Sequence, residues 1–145
     1  MEIRKATLDN LEDIIPLFDG YRQFYRQKSD LEAAKSFITS RLQYKDSTIF
    51  LCYKDDSAVG FTQLYPLFSS VTMQPMLLLN DLFIAENYRG QGIGTALINE
   101  AKELCTKTQQ KGLVIQTEIT NPAQKLYERL NFKKDPDLHY FWTCH

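Results

Sequence analysis

Residues 87–95 read Asn-Tyr-Arg-Gly-Gln-Gly-Ile-Gly-Thr, with glycines at 90, 92 and 94 between an apolar run and a helical pattern. Glycines at a helix start let the backbone approach a ligand closely, and the first-turn N–H groups with the helix dipole favour an anionic phosphate. The competing reading is a tight strand-to-helix turn without a ligand. A dinucleotide fingerprint beginning at Gly90 wants a small third residue where Thr95 stands. It also wants an acidic ribose ligand about twenty residues on, where the chain has Gln109, Gln110 and Lys111. A P-loop fails because no Gly-Lys-Ser/Thr follows.

Three further groups have chemistry to offer. Asn80 and Asp81 interrupt the apolar run Met76–Ala85, and strand alternation puts them on opposite faces. Asp81 is placed to pair with a cation or to satisfy a loop backbone. Tyr127 shares a helical face with Ala123, Leu126 and Leu130, where a tyrosine is ordinarily core with its hydroxyl tied off. Tyr21, Arg22, Tyr25 and Arg26 interleave rings and guanidinium groups, which suits either a carboxylate clamp or a solvated helix end. His139 reads as edge packing. Cys52, Cys105 and Cys144 have no metal-ligand spacing, so neither zinc nor disulfides are expected and the default compartment is the cytoplasm.

The elements that position these groups are legible from periodicity. Glu2–Ala6 reads as a strand, followed by a helix on Leu11, Ile14, Ile15 and Phe18, with Asp9 or Asn10 as cap. Pro16 should kink or end that helix before Gly20. Ser29-Asp30-Leu31-Glu32 is a capping box opening a helix with Leu31, Ala34, Ile38 and Leu42 in one stripe. Thr48–Tyr53 and Ala58–Leu67 flank a polar turn and form a hairpin. Met76–Ala85 reads as a strand buried on both faces. A helix from the glycine turn to about Gln110 is closed by Gly112, and Leu113–Glu118 is a strand. A short helix, Pro122–Leu130, ends at Asn131, and Phe132–Lys134 and His139–Thr143 read as further strands. The result is one mixed-sheet α/β domain over residues 1–145.

Composition narrows the function. The chain is 43% hydrophobic and 24% charged with a net charge of -1. That balance and the lack of a basic run argue against nucleic acid, and no segment is apolar enough for a membrane span or secretory signal.

Arg89-x-x-Gly92-x-Gly94 at a helix start, with Thr120-Asn121-Pro122-Ala123-Gln124-Lys125-Leu126-Tyr127 downstream, resembles the GNAT N-acetyltransferases, the central stretch being similar to the spermidine/spermine type. The resemblance implies a mostly antiparallel central sheet flanked by about four helices, and transfer of acetyl from acetyl-CoA to a small-molecule amine in a ternary complex. It also implies that amides from Arg89, Gly90, Gln91, Gly92, Ile93, Gly94 and Thr95 hold the pyrophosphate. The backbone of Leu82, Phe83 and Ile84 would pair with the pantetheine arm, and Tyr127 would be the general acid. One residue fewer separates Asn121 from Tyr127 than is usual in the family, so either Asn121 or Thr120 takes the cofactor-side hydrogen bond. Acceptor contacts fall to Tyr21, Arg22, Tyr25, Asn80 and Asp81. An alkyl ammonium of pKa about 10.4 is neutral about once per thousand at pH 7.4, a penalty of ~4 kcal/mol; Asn80 cannot be the base, and a water chain is expected. No metal site is expected. Alternatives are a peptide or protein lysine acceptor, or a silent acyl-CoA-binding module. The aromatic tail and the family's habit raise a homodimer as one option.

Overall fold

In the computed structural model, which describes residues 1–145, the chain runs β1 (Glu2–Lys5), a 3-10 turn (Leu8–Asn10), α1 (Leu11–Phe24), α2 (Leu31–Tyr44), β2 (Thr48–Lys54), β3 (Ser57–Ser69) and β4 (Gln74–Ile84). A second 3-10 turn (Glu86–Tyr88) leads into α3 (Ile93–Lys107), β5 (Leu113–Ile115) and α4 (Gln124–Arg129). The five strands lie in the order β1-β2-β3-β4-β5. All neighbours are antiparallel except β4 and β5, which are parallel and joined through α3. This is the expected mixed sheet with four α-helices.

Alternation along β2 divides the core. Ile49, Leu51 and Tyr53 face α1 and α2, packing with Ile14, Phe18, Ile38 and Phe61. Phe50 and Cys52 point to the other face and pack with Ile93, Leu97, Ile98 and Ala101 of α3. The β2–β3 hairpin closes on Asp55 and Asp56, both at positive φ (52° and 63°), a pair of left-handed residues that matches the twist of the flanking strands.

α1 passes through Pro16 without ending. Pro16 and Glu12, whose carbonyl the proline leaves without its helical donor, are both on the exposed face, where water takes up the lost bond. The cap at this end is Thr7: its hydroxyl accepts from Asp9 N–H at 3.2 Å while Asn10 Oδ1 accepts from Thr7 N–H at 2.9 Å. Asp30 alone caps α2, accepting from Ala33 N–H. The expected capping serine, Ser29, instead donates to the buried Asp19 carboxylate at 2.7 Å, which also accepts from Asp30 N–H and Gln23 Nε2. Burial opposes ionisation of Asp19, but these donors and Arg22 hold its carboxyl below the ordinary range. Leu31 lies outside the stripe at 55% exposure, because Asp19 fixes the start of α2 away from the core.

Gln109, at φ 55°, takes the left-handed position after α3 that was expected of Gly112, and Asn131 takes it after α4 at φ 70°. β5 is shorter than expected. The two tail strands do not form: every residue from Lys133 to His145, His139 included, is exposed and outside regular structure. They pair with no strand, although the outer edge of β5 is free, and propensity alone does not make a strand.

Gly20 sets the distance between α1 and the sheet. A Cβ there would stand 2.9 Å from Phe83 Cζ, so the helix comes onto β4 closer than any other residue permits. Alanine ordinarily gains about 0.5–1 kcal/mol over glycine inside a helix, whereas overpacking a core contact costs about 1–3 kcal/mol. Gly20→Ala is therefore expected to lower stability by about 1 kcal/mol in urea denaturation. A gain in stability would show that Phe83 moves aside freely.

Candidate active site

β4 makes an error of phase that creates the site. It pairs with β3 in one register from Ile84 to Asp81 and in another from Leu79 to Gln74, leaving Asn80 as an extra residue. Such a bulge bends its strand. Leu77 and Leu79 pack on the α3 face, and so do Leu82 and Ile84, a parity that only one inserted residue can produce. Pairing with β5 covers Leu77–Leu79 and stops there. Beyond the bulge, the edge of Leu82–Ile84 that would meet β5 in a continuous sheet has no strand partner.

A cleft of about 220 Å³ opens at this split, lined by Phe24 of α1 and Tyr25 just past its end, Leu82, Phe83 and Ile84 of β4, Arg89, Gly94, and Asn121 to Ala123 with Leu126 and Tyr127. At one end is the glycine turn. Gly90 and Gly92 have φ of 76° and 82°, and the turn carries α3 in without a side-chain cap. The backbone N–H groups from Gly90 to Thr95 find no acceptor in the protein; the first to do so is Ala96, bonded to Gly92 O. A run of unanswered donors at the positive end of a 15-residue helix fits a pyrophosphate. Gly94 permits α4 to approach, since a Cβ would meet Leu126 Cδ2 at 3.3 Å. Arg89 donates from Nε to Ile84 O at 2.9 Å and lies over the rings of Phe83 and Phe24. Gln91 reaches out to Lys54 Nζ.

Tyr127 lines the cleft with its ring against Phe132, centroids 6.2 Å apart. Burial first, and the nearby Tyr25 second, push its phenol up to about 12. Its hydroxyl has no protein partner and is not tied off in the core. Asn121 is held on both sides: Oδ1 accepts from Ala123 N–H at 2.9 Å and Nδ2 donates to Tyr25 Oη at 3.3 Å. Thr120, by contrast, is exposed.

Behind Tyr25 stand Tyr21 and the bulge. The Tyr21 and Tyr25 rings meet edge to face at 5.2 Å, and the Tyr21 hydroxyl donates to Asn80 O at 3.1 Å. The bulge brings Asn80 and Asp81 together instead of separating them across the sheet: Asn80 Nδ2 donates to Asp81 Oδ1 at 2.7 Å. Gln63 Nε2 donates to Asp81 Oδ2 at 2.7 Å, and Ser47 Oγ donates to Gln63 Oε1 at 2.9 Å. Asp81 is 1% exposed. No backbone donor reaches it, which removes the loop-satisfying role. Burial raises its carboxyl to about 6 despite the two amide donors, and its charge adds to the burial that raises Tyr21 and Tyr65. Gln63, Ser47 and Tyr65 escape sequence reading because only the bulge register brings them to Asp81. The two polar residues inside an apolar strand were the signal.

The two arginines turn elsewhere. Arg22 Nη1 donates to Lys28 O at 3.1 Å, and Arg26 pairs with Glu118 at 3.0 Å. Neither lines the cleft.

A sheet split beside a glycine-lined helix start, with an untethered phenol between them, leaves room for an extended anionic ligand along the open β4 edge. Residues 45–134 match the family model described as the Acetyltransferase (GNAT) domain. The uncharacterized N-acetyltransferase YhfO of Bacillus subtilis (strain 168) is 42% identical over 142 residues, covering 97% of this chain and 95% of that protein. A probable acetyltransferase of Haemophilus influenzae is 33% identical over 97% of this chain and 96% of its own length. The crystal structure of a probable acetyltransferase superposes with a TM-score of 0.92 at 36% identity, over 99% of this chain and 97% of the other. The chain belongs to the GNAT acetyltransferase family and is an acyltransferase; enzymes of this family use acetyl-CoA.

Asp81 makes stability depend on pH. A carboxyl whose folded pKa of about 6 exceeds its ordinary 3.8 binds its proton more tightly in the folded state. Its favourable contribution is complete below pH 4 and is lost as pH rises to 6, amounting to about 3 kcal/mol. Asp81→Asn, with the Gln63 amide turned to match, is expected to melt above the parent at pH 7.5 and to lose that advantage at pH 4.5. A Tm difference that does not change with pH would contradict the buried ionised carboxylate.

Proposed function

We propose that this enzyme moves the acetyl group of acetyl-CoA to a primary amine of a small molecule, of the amino acid or polyamine type, by direct attack in a ternary complex within a single catalytic domain over residues 1–145. The observation that carries this reading is the Tyr127 hydroxyl, free of protein partners in the cleft between the β4 edge and α4.

The amides of Gly90–Thr95, with Arg89 beside them, hold the pyrophosphate, and the open edge of Leu82–Ile84 pairs with the pantetheine arm as a further strand. Asn121 lines the cleft with its amide already bonded to Ala123 and Tyr25, whereas Thr120 stands outside that lining with a free hydroxyl, so the cofactor-side bond falls to one or the other. The ammonium first gives one proton to water; the amine nitrogen then forms its bond to the thioester carbonyl carbon, the carbon–sulfur bond breaks, Tyr127 gives its proton to the departing thiolate, and the nitrogen's second proton returns to the tyrosinate. A phenol raised to about 12 keeps its proton at neutral pH and so is present in the acid form for that step.

The acceptor enters from the side of Tyr21, Tyr25 and Asn80. Arg22 and Arg26 being engaged elsewhere, the charge at this end is the Asp81 carboxylate, which favours an ammonium lacking a neighbouring carboxylate, the polyamine type of the two. Both Asp81 oxygens already accept hydrogen bonds, so a proton reaches it through water. Three free thiols, two of them buried, support a reducing, cytoplasmic setting.

Replacing Tyr127 by Phe removes the acid and leaves the ring packing. Turnover of acetyl-CoA with an amine acceptor is expected to fall about 10²–10³-fold, with the Kd for acetyl-CoA within about threefold of the parent. Undiminished turnover would remove Tyr127 from the chemistry.

A further inference from the structure

The hydroxyl of Tyr25 carries a proton that nothing in the protein accepts, and Asn121 is the reason. Asn121 Oδ1 accepts from Ala123 N–H at 2.9 Å, so Nδ2 is the atom that faces Tyr25 Oη, 3.3 Å away. Turning the amide over would set its NH₂ against another donor. Asn121 can therefore only give a hydrogen to the phenol oxygen. The phenol's own hydrogen must go elsewhere, and the bond from Asn121 is the only one Tyr25 Oη makes. The half-buried ring lines the cleft, so that proton is presented to whatever enters there.

The segment bearing Tyr25 is fixed. Tyr25 closes α1, and Arg26 takes the left-handed position just past it at φ 68°. Gln27 N–H bonds to Arg22 O at 3.0 Å and Arg26 N–H to Gln23 O at 2.9 Å, the paired bonds of a Schellman closure. The Tyr25 ring packs edge to face against both Tyr21 and Phe24, at 5.2 and 5.1 Å. Arg26 reaches Glu118 at 3.0 Å, so the end of α1 is tied twice to the segment between β5 and α4. A donor held this way needs no reorganisation when charge appears in front of it.

Few groups can take that proton. An ammonium offers donors only, and the amine it becomes needs its lone pair for the attack. In the acetyl-transfer reading, the pantetheine amides pair with the β4 edge and the departing thiolate is served by Tyr127. Tyr25 lies near enough to Tyr127 to help raise that phenol, so the two hydroxyls attend the same reacting group. The acceptor left there is the thioester carbonyl oxygen. Resting on that reading, we infer that Tyr25 is a second catalytic hydroxyl, hydrogen-bonded to the thioester carbonyl oxygen, and that Asn121 positions it. As the amine nitrogen bonds to the carbonyl carbon, an electron pair of the carbon–oxygen double bond moves onto oxygen. Tyr25 stabilises that charge by its hydrogen bond without giving up the proton. The pair returns to the carbon–oxygen bond as the carbon–sulfur bond breaks. Tyr25 and Tyr127 thereby divide the two charges of the reaction, the first on oxygen and the second on sulfur.

Acetyl-CoA labelled with ¹³C at the thioester carbonyl reports the contact in the infrared, because a hydrogen bond to a carbonyl oxygen lowers its stretching frequency. Bound to the parent, the labelled stretch is expected below that of free acetyl-CoA. In Tyr25→Phe, which removes only the hydroxyl, it is expected back at the free position, whereas Tyr127→Phe keeps it lowered. Asn121→Asp, whose carboxylate would accept the phenol proton and turn it from the cleft, is expected to behave as Tyr25→Phe although the hydroxyl is still present. In turnover, Tyr25→Phe is expected to lose about 10²–10³-fold in kcat, with the amine KM and the Kd for CoA, which lacks the acetyl group, within about threefold of the parent. A stretch that is unshifted in the parent, or that stays lowered in Tyr25→Phe, would overturn the inference and leave the acetyl-transfer reading standing. So would an amine KM that rises while kcat holds. A parent that does not bind acetyl-CoA would overturn both.

Discussion

One inserted residue, Asn80, governs the geometry of everything that follows it in β4. An antiparallel strand of constant phase would keep Leu77, Leu79, Asp81 and Phe83 on one face, burying an aspartate against α3 and continuing its ladder with β5. The bulge shifts the phase, so Leu82 and Ile84 join the α3 core and Phe83 meets Gly20 of α1. The same bend ends the pairing with β5 at Ile115. The cleft, the free β4 edge and the placing of the buried carboxylate on the α1 face of the sheet are three consequences of one register change.

The two ends of the cleft are electrostatically distinct. At the α3 end, unanswered amides, a helix dipole and Arg89 present positive potential without a side-chain cap that would compete for the donors. At the bulge end, an ionisable carboxyl sits behind tyrosines, held by amide donors that are neutral and so leave its charge uncompensated. The two ends thereby offer opposite charge to whatever the cleft binds, with Tyr127 between them. Keeping Asp81 ionised works against folding.

Features set by local pattern were legible in the sequence. The β2–β3 hairpin, the α3 stripe, the left-handed Asn131 and the glycine turn each depend on residues a few positions apart. Features set by a distant partner were not. Pro16 breaks a helix only where its orphaned carbonyl is buried, and here it faces water. Leu31 looked like core until Asp19 was seen to anchor the loop before it. Gln63 reads as an ordinary strand residue, and only the bulge register carries it to Asp81. The aromatic tail has every local mark of a strand, yet a strand is a relation between two segments and the tail pairs with none.

The account rests on the amides of Gly90–Thr95 being the carrier's anion site. The direct measurement is a ¹H–¹⁵N correlation spectrum of the protein titrated with acetyl-CoA. The account predicts that the largest shifts fall on residues 90–95 and on Leu82–Ile84, saturating together with one Kd. Saturable binding that leaves those amides unmoved, or no binding at millimolar acetyl-CoA, would contradict it and reduce the glycine turn to a structural corner.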